Sequence, residues 1–339
     1  MHSVSPDLVI MILVVLMALS FDFINGFHDT ANAIATSVST RAISPRLAII
    51  MAACFNLIGA LTYTGVAKTI GGSIADPFKL QNGLVVVLAA LTSAILWNLI
   101  TWWFGIPSSS SHALIGGVAG AVVGAAGFGA INAAGFISIV QALIVSPIVA
   151  FVIGFIMIKI VSSLVANAPY HKTNKNFRIL QVLSASWQSF SHGANDAQKT
   201  MGIIAFAMAS GGFLDAPGGN IEIPLWVKFS AAIAMAFGTS VGGWRIIKTM
   251  GGKIMKMTPI SGFSADVSSA MIITIFTALK LPVSTTHVIT SSILGVGASQ
   301  KFSAVKWGVA GRIVVTWVIT LPCTALLAAA CYIVYDVFL

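Results

Sequence analysis

Two short polar motifs recur in an otherwise apolar chain, and both carry groups able to handle ions. Gly26-Phe27-His28-Asp29-Thr30-Ala31-Asn32 is matched 167 residues later (29 to 196) by Gly193-Ala194-Asn195-Asp196-Ala197-Gln198-Lys199. Residues three apart on a helix are neighbours, so Asp29 shares a face with Asn32 and Asp196 with Lys199. An Asp196–Lys199 pair that only fixed helix packing would leave the matching Asp29, beside Asn32, without a cation. A carboxylate next to an amide suits an alkali ion or a proton, because hard cations take oxygen ligands and carboxylates within a membrane mark ion pathways. Asp29 and Asp196 are therefore candidate sodium ligands, with Asn25 and Asn195 beside them. Gly26 and Gly193 are predicted to let the backbone unwind and lend carbonyl oxygens to such a site. Asp22 and Asp266, also at or within apolar segments, are further cation candidates. His28 and His192 flank the aspartates, where imidazoles can support proton traffic, and Gln198 and Lys199 are supporting polar groups.

The second pair has the opposite polarity. Pro107-Ser108-Ser109-Ser110-Ser111-His112 is matched 175 residues later (112 to 287) by Pro282-Val283-Ser284-Thr285-Thr286-His287. Proline suits the start of a helix, so the following hydroxyls would sit among unpaired amides at the positive end of a helix dipole. Such a terminus binds phosphate or sulfate. Ser109 and Ser284 are read as N-caps; Ser110, Ser111, Thr285 and Thr286 remain for an anion, since four consecutive serines exceed what capping needs. His112 and His287, at equivalent places, are read as structural hydrogen-bonding groups.

These motifs must be held by membrane-spanning elements. The 339 residues are 57% hydrophobic and 8% charged, where soluble domains are about a quarter charged. Leu8 to Phe21, Leu47 to Val66, Leu84 to Phe104 and Ile137 to Ile158 approach or reach the roughly 20 residues that cross a bilayer as helix. The net charge of +9 lies in the connections between spans, so topology accounts for it without nucleic acid. No Walker-type phosphate loop occurs, and nothing suggests covalent catalysis or an organic cofactor. Cys54, Cys323 and Cys331 lack metal-ligand spacing and are read as buried free thiols.

Lys/Arg clusters at Arg41 and Arg46, Lys172 to Arg178, Arg245 to Lys256, and Lys301 and Lys306 are assigned to the cytoplasmic side, which puts the Asp215/Glu222 connection and both termini outside. One path meets these assignments, through segments near 8–40, 47–67, 84–104, 107–127 and 137–160, then 178–210, 225–247, 262–279, 282–299 and 307–335. The fold expected is an all-α polytopic membrane protein with five segments per half, ten to twelve in all. Residues 1–165 form a first repeat, 166–177 a short cytoplasmic linker and 178–339 a second repeat. An odd number per half inverts the second repeat relative to the first. The first segment of each half, about 33 residues, would run about 50 Å as continuous helix against a 30 Å core. Each is expected to be a broken helix or a helix plus a re-entrant piece.

Asn25 to Ala33 and Ser191 to Lys199 are similar to the two signature segments of the inorganic phosphate transporter (PiT) family in its bacterial form, and Ile106 to His112 and Leu281 to His287 resemble its paired Ser/Thr segments. The resemblance implies symport of inorganic phosphate with sodium or protons across the inner (plasma) membrane, with Asp29, Asn32, Ser110, Ser111, Asp196, Thr285 and Thr286 at the substrate. Some family relatives carry sulfate. Phosphate at neutral pH keeps a P–OH proton that a buried carboxylate can accept and sulfate does not, so two retained aspartates favour phosphate. The rival readings are a permease for sulfate or another tetrahedral oxyanion and an ion channel. A homo-oligomer is compatible with the sequence.

Overall fold

Prolines and hydroxyl caps punctuate the apolar chain and set where its helices start. In the computed structural model, which describes residues 5–76, 79–80, 82–214 and 221–338, these are α1 (Pro6–Ser39), α2 (Pro45–Thr62), α3 (Gly65–Ser73), α4 (Gly83–Phe104), α5 (Ser110–Ala126), α6 (Ala133–Leu164), α7 (Tyr170–Ser210), α8 (Leu225–Val241), α9 (Trp244–Lys248), α10 (Pro259–Ala278), α11 (Thr285–Gln300) and α12 (Trp307–Phe338). Pro6, Pro45 and Pro259 stand in first turns, where the missing N–H costs nothing, and Ser5 and Thr258 cap α1 and α10. Among the described residues there is no extended strand, only an isolated bridge between Ala75 and Ile131.

Among the described residues six helices, α1, α2, α4, α6, α10 and α12, are long and apolar enough to cross a membrane, and α8 with α9 and the π turn after it makes a seventh, bent by 60°. Helices α5 and α11 have 17 and 16 residues, about 25 Å each. They reach only part of the way across. Each segment expected from the sequence corresponds to helix. Asp215, Met1 and Leu339, which bear on the outward side of the expected topology, lie outside the described residues.

The breaks fall elsewhere than expected. Helix α1 runs unbroken for 34 residues and α7 for 41. The chain breaks instead at Tyr63–Thr64, between α2 and α3, and at Gly242–Gly243, between α8 and α9, where Gly242 has φ +75°. Gly26 and Gly193 do not unwind their helices. A Cβ on Gly26 would lie 2.3 Å from the Met235 carbonyl oxygen of α8, and one on Gly193 2.2 Å from the Asn56 carbonyl oxygen of α2. The missing side chain permits backbone contact, α1 against α8 and α7 against α2, rather than local unwinding.

The remaining packing follows the same pairing. Helix α5 lies on α12 and α11 on α6, and each long partner carries an internal proline, Pro147 in α6 and Pro322 in α12. Two apolar clusters result, and on α1 the change from one to the other falls between Phe21 and Ala31. The interval between them holds the polar motif. The cysteines are free as expected, but none is fully buried: Cys323 and Cys331 are half-buried, and Cys54 is exposed among apolar residues of α2 and α8.

Candidate functional site

Asp29 and Asp196 sit mid-helix on α1 and α7, and the packing of those helices brings them together. One ligand atom from each, with one from His192, lies within 4.8 Å of the others. Asp29 is 1% exposed and Asp196 0%, so the pair is shut off from both sides of the molecule. Carboxylates in such surroundings persist only with partners.

Their partners come from the starts of α5 and α11. Ser109 caps α5 by accepting from the His112 amide at 3.1 Å, and Ser284 caps α11 by accepting from the His287 amide at 3.2 Å. The next hydroxyls turn to the aspartates. Ser110 donates to Asp29 Oδ2 at 2.5 Å, with Asn25 Oδ1 also within 3.1 Å, and Thr285 donates to Asp196 Oδ2 at 2.9 Å. Thr286 donates to Asp29 Oδ1 at 3.0 Å and accepts from Asn32 Nδ2 at 2.8 Å. Lys199 donates to Asp196 Oδ1, to the Ser111 hydroxyl at 2.5 Å and to the Val283 carbonyl at 2.8 Å. Asn195 accepts from the Val283 amide at 3.3 Å and donates to Thr277 at 2.8 Å, holding the entry to α11.

The histidines next to the aspartates extend the network outward. His28 Nδ1 lies 2.6 Å from Asp29 and its Nε2 3.2 Å from the Thr101 hydroxyl, which lies 2.8 Å from that of Ser108. His192 Nε2 lies 3.2 Å from Asp196, and its Nδ1 is 3.1 Å from Asn56. Asn56 donates to Thr30 and Thr239 at 2.9 and 3.1 Å. Thr30, Asn56, Thr101 and Thr239 were not singled out from the sequence. The available signal was a buried polar residue inside an apolar span, which many hydroxyls share by bonding their own helix.

Other expected residues are placed apart. Gln198 accepts from the Val66 and Ala67 amides at 2.8 and 3.3 Å, so it caps α3 at the break. Asp266 accepts from Thr36 at 2.7 Å and Ser184 at 3.3 Å, forming a separate buried carboxylate. Asp22 is buried beside the Asn25 and Thr200 side chains. The His112 and His287 rings are 4.4 Å apart, His287 stacks on Trp317 at 3.8 Å, and both histidines line a cavity of about 350 Å³ together with residues of α6 and α12.

The arrangement combines two chemistries. Helix starts whose first amides lack intrahelical acceptors, with hydroxyls among them, can hold an anion. The facing carboxylates, amides and hydroxyls offer hard oxygen ligands to a cation.

A family model described as "Phosphate transporter family" matches residues 25–328. The chain is 58% identical over 329 residues to the probable low-affinity inorganic phosphate transporter of Bacillus subtilis (strain 168), covering 97% of this chain and 98% of that protein. It is 48% identical over 324 residues to the protein of the same description from Rhizobium meliloti (strain 1021), covering 94% and 95%. A solved structure, "The sodium-dependent phosphate transporter", superposes with a TM-score of 0.89 at 28% identity, covering 98% of this chain and all of the other. The motifs, the helical architecture and full-length similarity converge, and the chain, a multi-pass membrane protein, belongs to the phosphate transporter family.

Proposed function

We propose that the chain imports inorganic phosphate by symport with sodium or protons, through alternating access around the buried site at Asp29 and Asp196. The observation that carries this reading is the convergence of these aspartates with the starts of α5 and α11. The substrate residues are Asp29, Asn32, Ser110, Ser111, Asp196, Thr285 and Thr286. A cation bound at Asp29 and Asp196, or protons on them, offsets the repulsion between anion and carboxylates, which couples the two fluxes. The structural neighbour's description as sodium-dependent supports sodium as the coupling ion.

Alternating access requires two related gates, and an inverted repeat of residues 1–165 and 178–339 provides them. Its support is the pairing of corresponding contacts: Asp29 with Ser110 and Asp196 with Thr285, Asn32 with Thr286 and Lys199 with Ser111. The termini are placed outside the plasma membrane by the charge pattern.

Labelled phosphate uptake into proteoliposomes, with sodium and pH gradients imposed separately, tests the reading. Saturable uptake with counterflow supports a carrier. Flux without counterflow indicates a channel, and competition by sulfate at equal strength indicates a general oxyanion permease.

A further inference from the structure

Lys199 stands where the other half of the chain has Asn32, each three residues after its aspartate. The two side chains make corresponding contacts. Asn32 reaches the second hydroxyl of α11, Thr286, and Lys199 reaches the second hydroxyl of α5, Ser111. Around them the pattern repeats, since the first hydroxyl of each short helix donates to the aspartate of its own half. Among the polar partners of the two aspartates, this is the position at which charge differs. One aspartate has an amide for its neighbour and the other an ammonium.

We infer, resting on the symport reading above, that Lys199 is a tethered counter-cation: its ammonium takes the place of a mobile coupling cation at Asp196, so that the chain binds one cation fewer per phosphate than a symmetric Asp–Asn site would. The ammonium is 1% exposed and its three donors are taken by Asp196, Ser111 and the Val283 carbonyl. A small cation in the same place would meet the same three oxygens, which is the hard, oxygen-only environment an alkali ion takes. At the corresponding position beside Asp29, whose other neighbour is the His28 ring, stands the neutral amide of Asn32, which presents an unpartnered Oδ1. That oxygen adds a ligand for a mobile ion on the Asp29 side. Phosphate approaching through the α5 and α11 starts thus meets one fixed and one exchangeable positive charge.

The consequence is a change of stoichiometry on substitution. Lys199→Asn removes one positive charge and recreates the chemistry already accommodated at Asp29 and Asn32, so the fold has a precedent for it. Phosphate binding should then require one further cation by linkage. Purified parent, Lys199→Asn and Lys199→Arg proteins are titrated with inorganic phosphate by calorimetry, over a sodium series at fixed pH with choline as replacement, and over a pH series at fixed sodium. In Lys199→Asn the logarithmic dependence of phosphate affinity on one of the two cations should steepen by one, so that a tenfold drop in that cation costs tenfold more affinity than in the parent. The melting temperature of Lys199→Asn without phosphate should rise with the same cation, and Lys199→Arg should keep the parental slope. An unchanged slope in both series would make Lys199 a packing residue and overturn the inference. So would a Lys199→Asn protein that neither binds phosphate nor is stabilised by either cation. A parent that binds no phosphate removes the symport reading itself, an outcome distinct from both.

Discussion

The Thr286 hydroxyl at the start of α11 donates to Asp29 on α1 at 3.0 Å, across 257 residues of chain. A hydroxyl that already has a carboxylate acceptor can turn to an anion only when a cation or proton takes its place on that carboxylate. Ser110 and Thr285 are held in the same way, so phosphate and the coupling ion are expected to assist each other.

From this follows the effect of removing single hydroxyls. Ser110→Ala, Ser111→Ala, Thr285→Ala and Thr286→Ala should each weaken phosphate binding by about ten- to a hundredfold, since a hydrogen bond to a charged group contributes about 1.5–3 kcal/mol. Thr285→Ser and Thr286→Ser should bind nearly as the parent does. Calorimetric titration with phosphate checks this, and four alanine variants with parental affinity would place the anion elsewhere.

Gly26 and Gly193 should tolerate no side chain. The atoms that an added Cβ would meet are backbone, 2.3 and 2.2 Å away, so neither neighbour can rotate aside. Gly26→Ala and Gly193→Ala should lower the thermal unfolding temperature by several degrees, with a loss of about 1–3 kcal/mol for overpacking. Gly72→Ala, on α3 with nothing within 4 Å of the new methyl, should leave it unchanged or raise it slightly.

The cap on α3 should be measurable locally. Gln198→Ala removes the acceptor for the Val66 and Ala67 amides, which costs about 1 kcal/mol at a helix start. Hydrogen exchange should speed up at these two amides and along α3 while α4 keeps its protection. Uniform exchange across the molecule would show that the residue stabilises the whole fold rather than the break.

The side of the membrane is set by charge. Introduced singly into a protein freed of Cys54, Cys323 and Cys331, a cysteine at position 222 should react with an impermeant maleimide added outside intact cells, and one at 41, 253 or 301 should not. The reverse pattern would invert the orientation of both halves.

Much of this architecture was legible because the polar motifs repeat in order at nearly constant spacing. The chemistry of Asp29 and Asp196 points to a cation site and that of the hydroxyls beside Ser109 and Ser284 to an anion site, while it is the family resemblance that implies they share one substrate. The position of the helix breaks was not legible. A glycine in a long segment licenses either unwinding or close packing, and what decides between them at Gly26 and Gly193 is a backbone carbonyl from α8 or α2. Helix α7 also opens with exposed residues around His171, Lys172 and Lys175, so its length overhangs the apolar section and needs no break. Gln198 illustrates the same limit. It lies in the signature segment, yet it serves α3, more than 130 residues earlier, which no local pattern reveals.

If Asp29 and Asp196 join phosphate to its coupling ion, the effect is read in uptake by proteoliposomes of the parent, Asp29→Asn and Asp196→Asn. Asparagine keeps the size and hydrogen-bonding capacity of aspartate but removes the charge that a sodium ion or proton neutralises. The parent should concentrate labelled phosphate when an inward sodium or proton gradient is imposed, and each variant, folded and reconstituted to the same level, should not. If both variants still accumulate phosphate against its gradient with the parental ion dependence, these aspartates only hold the helices together, and the coupling site lies elsewhere.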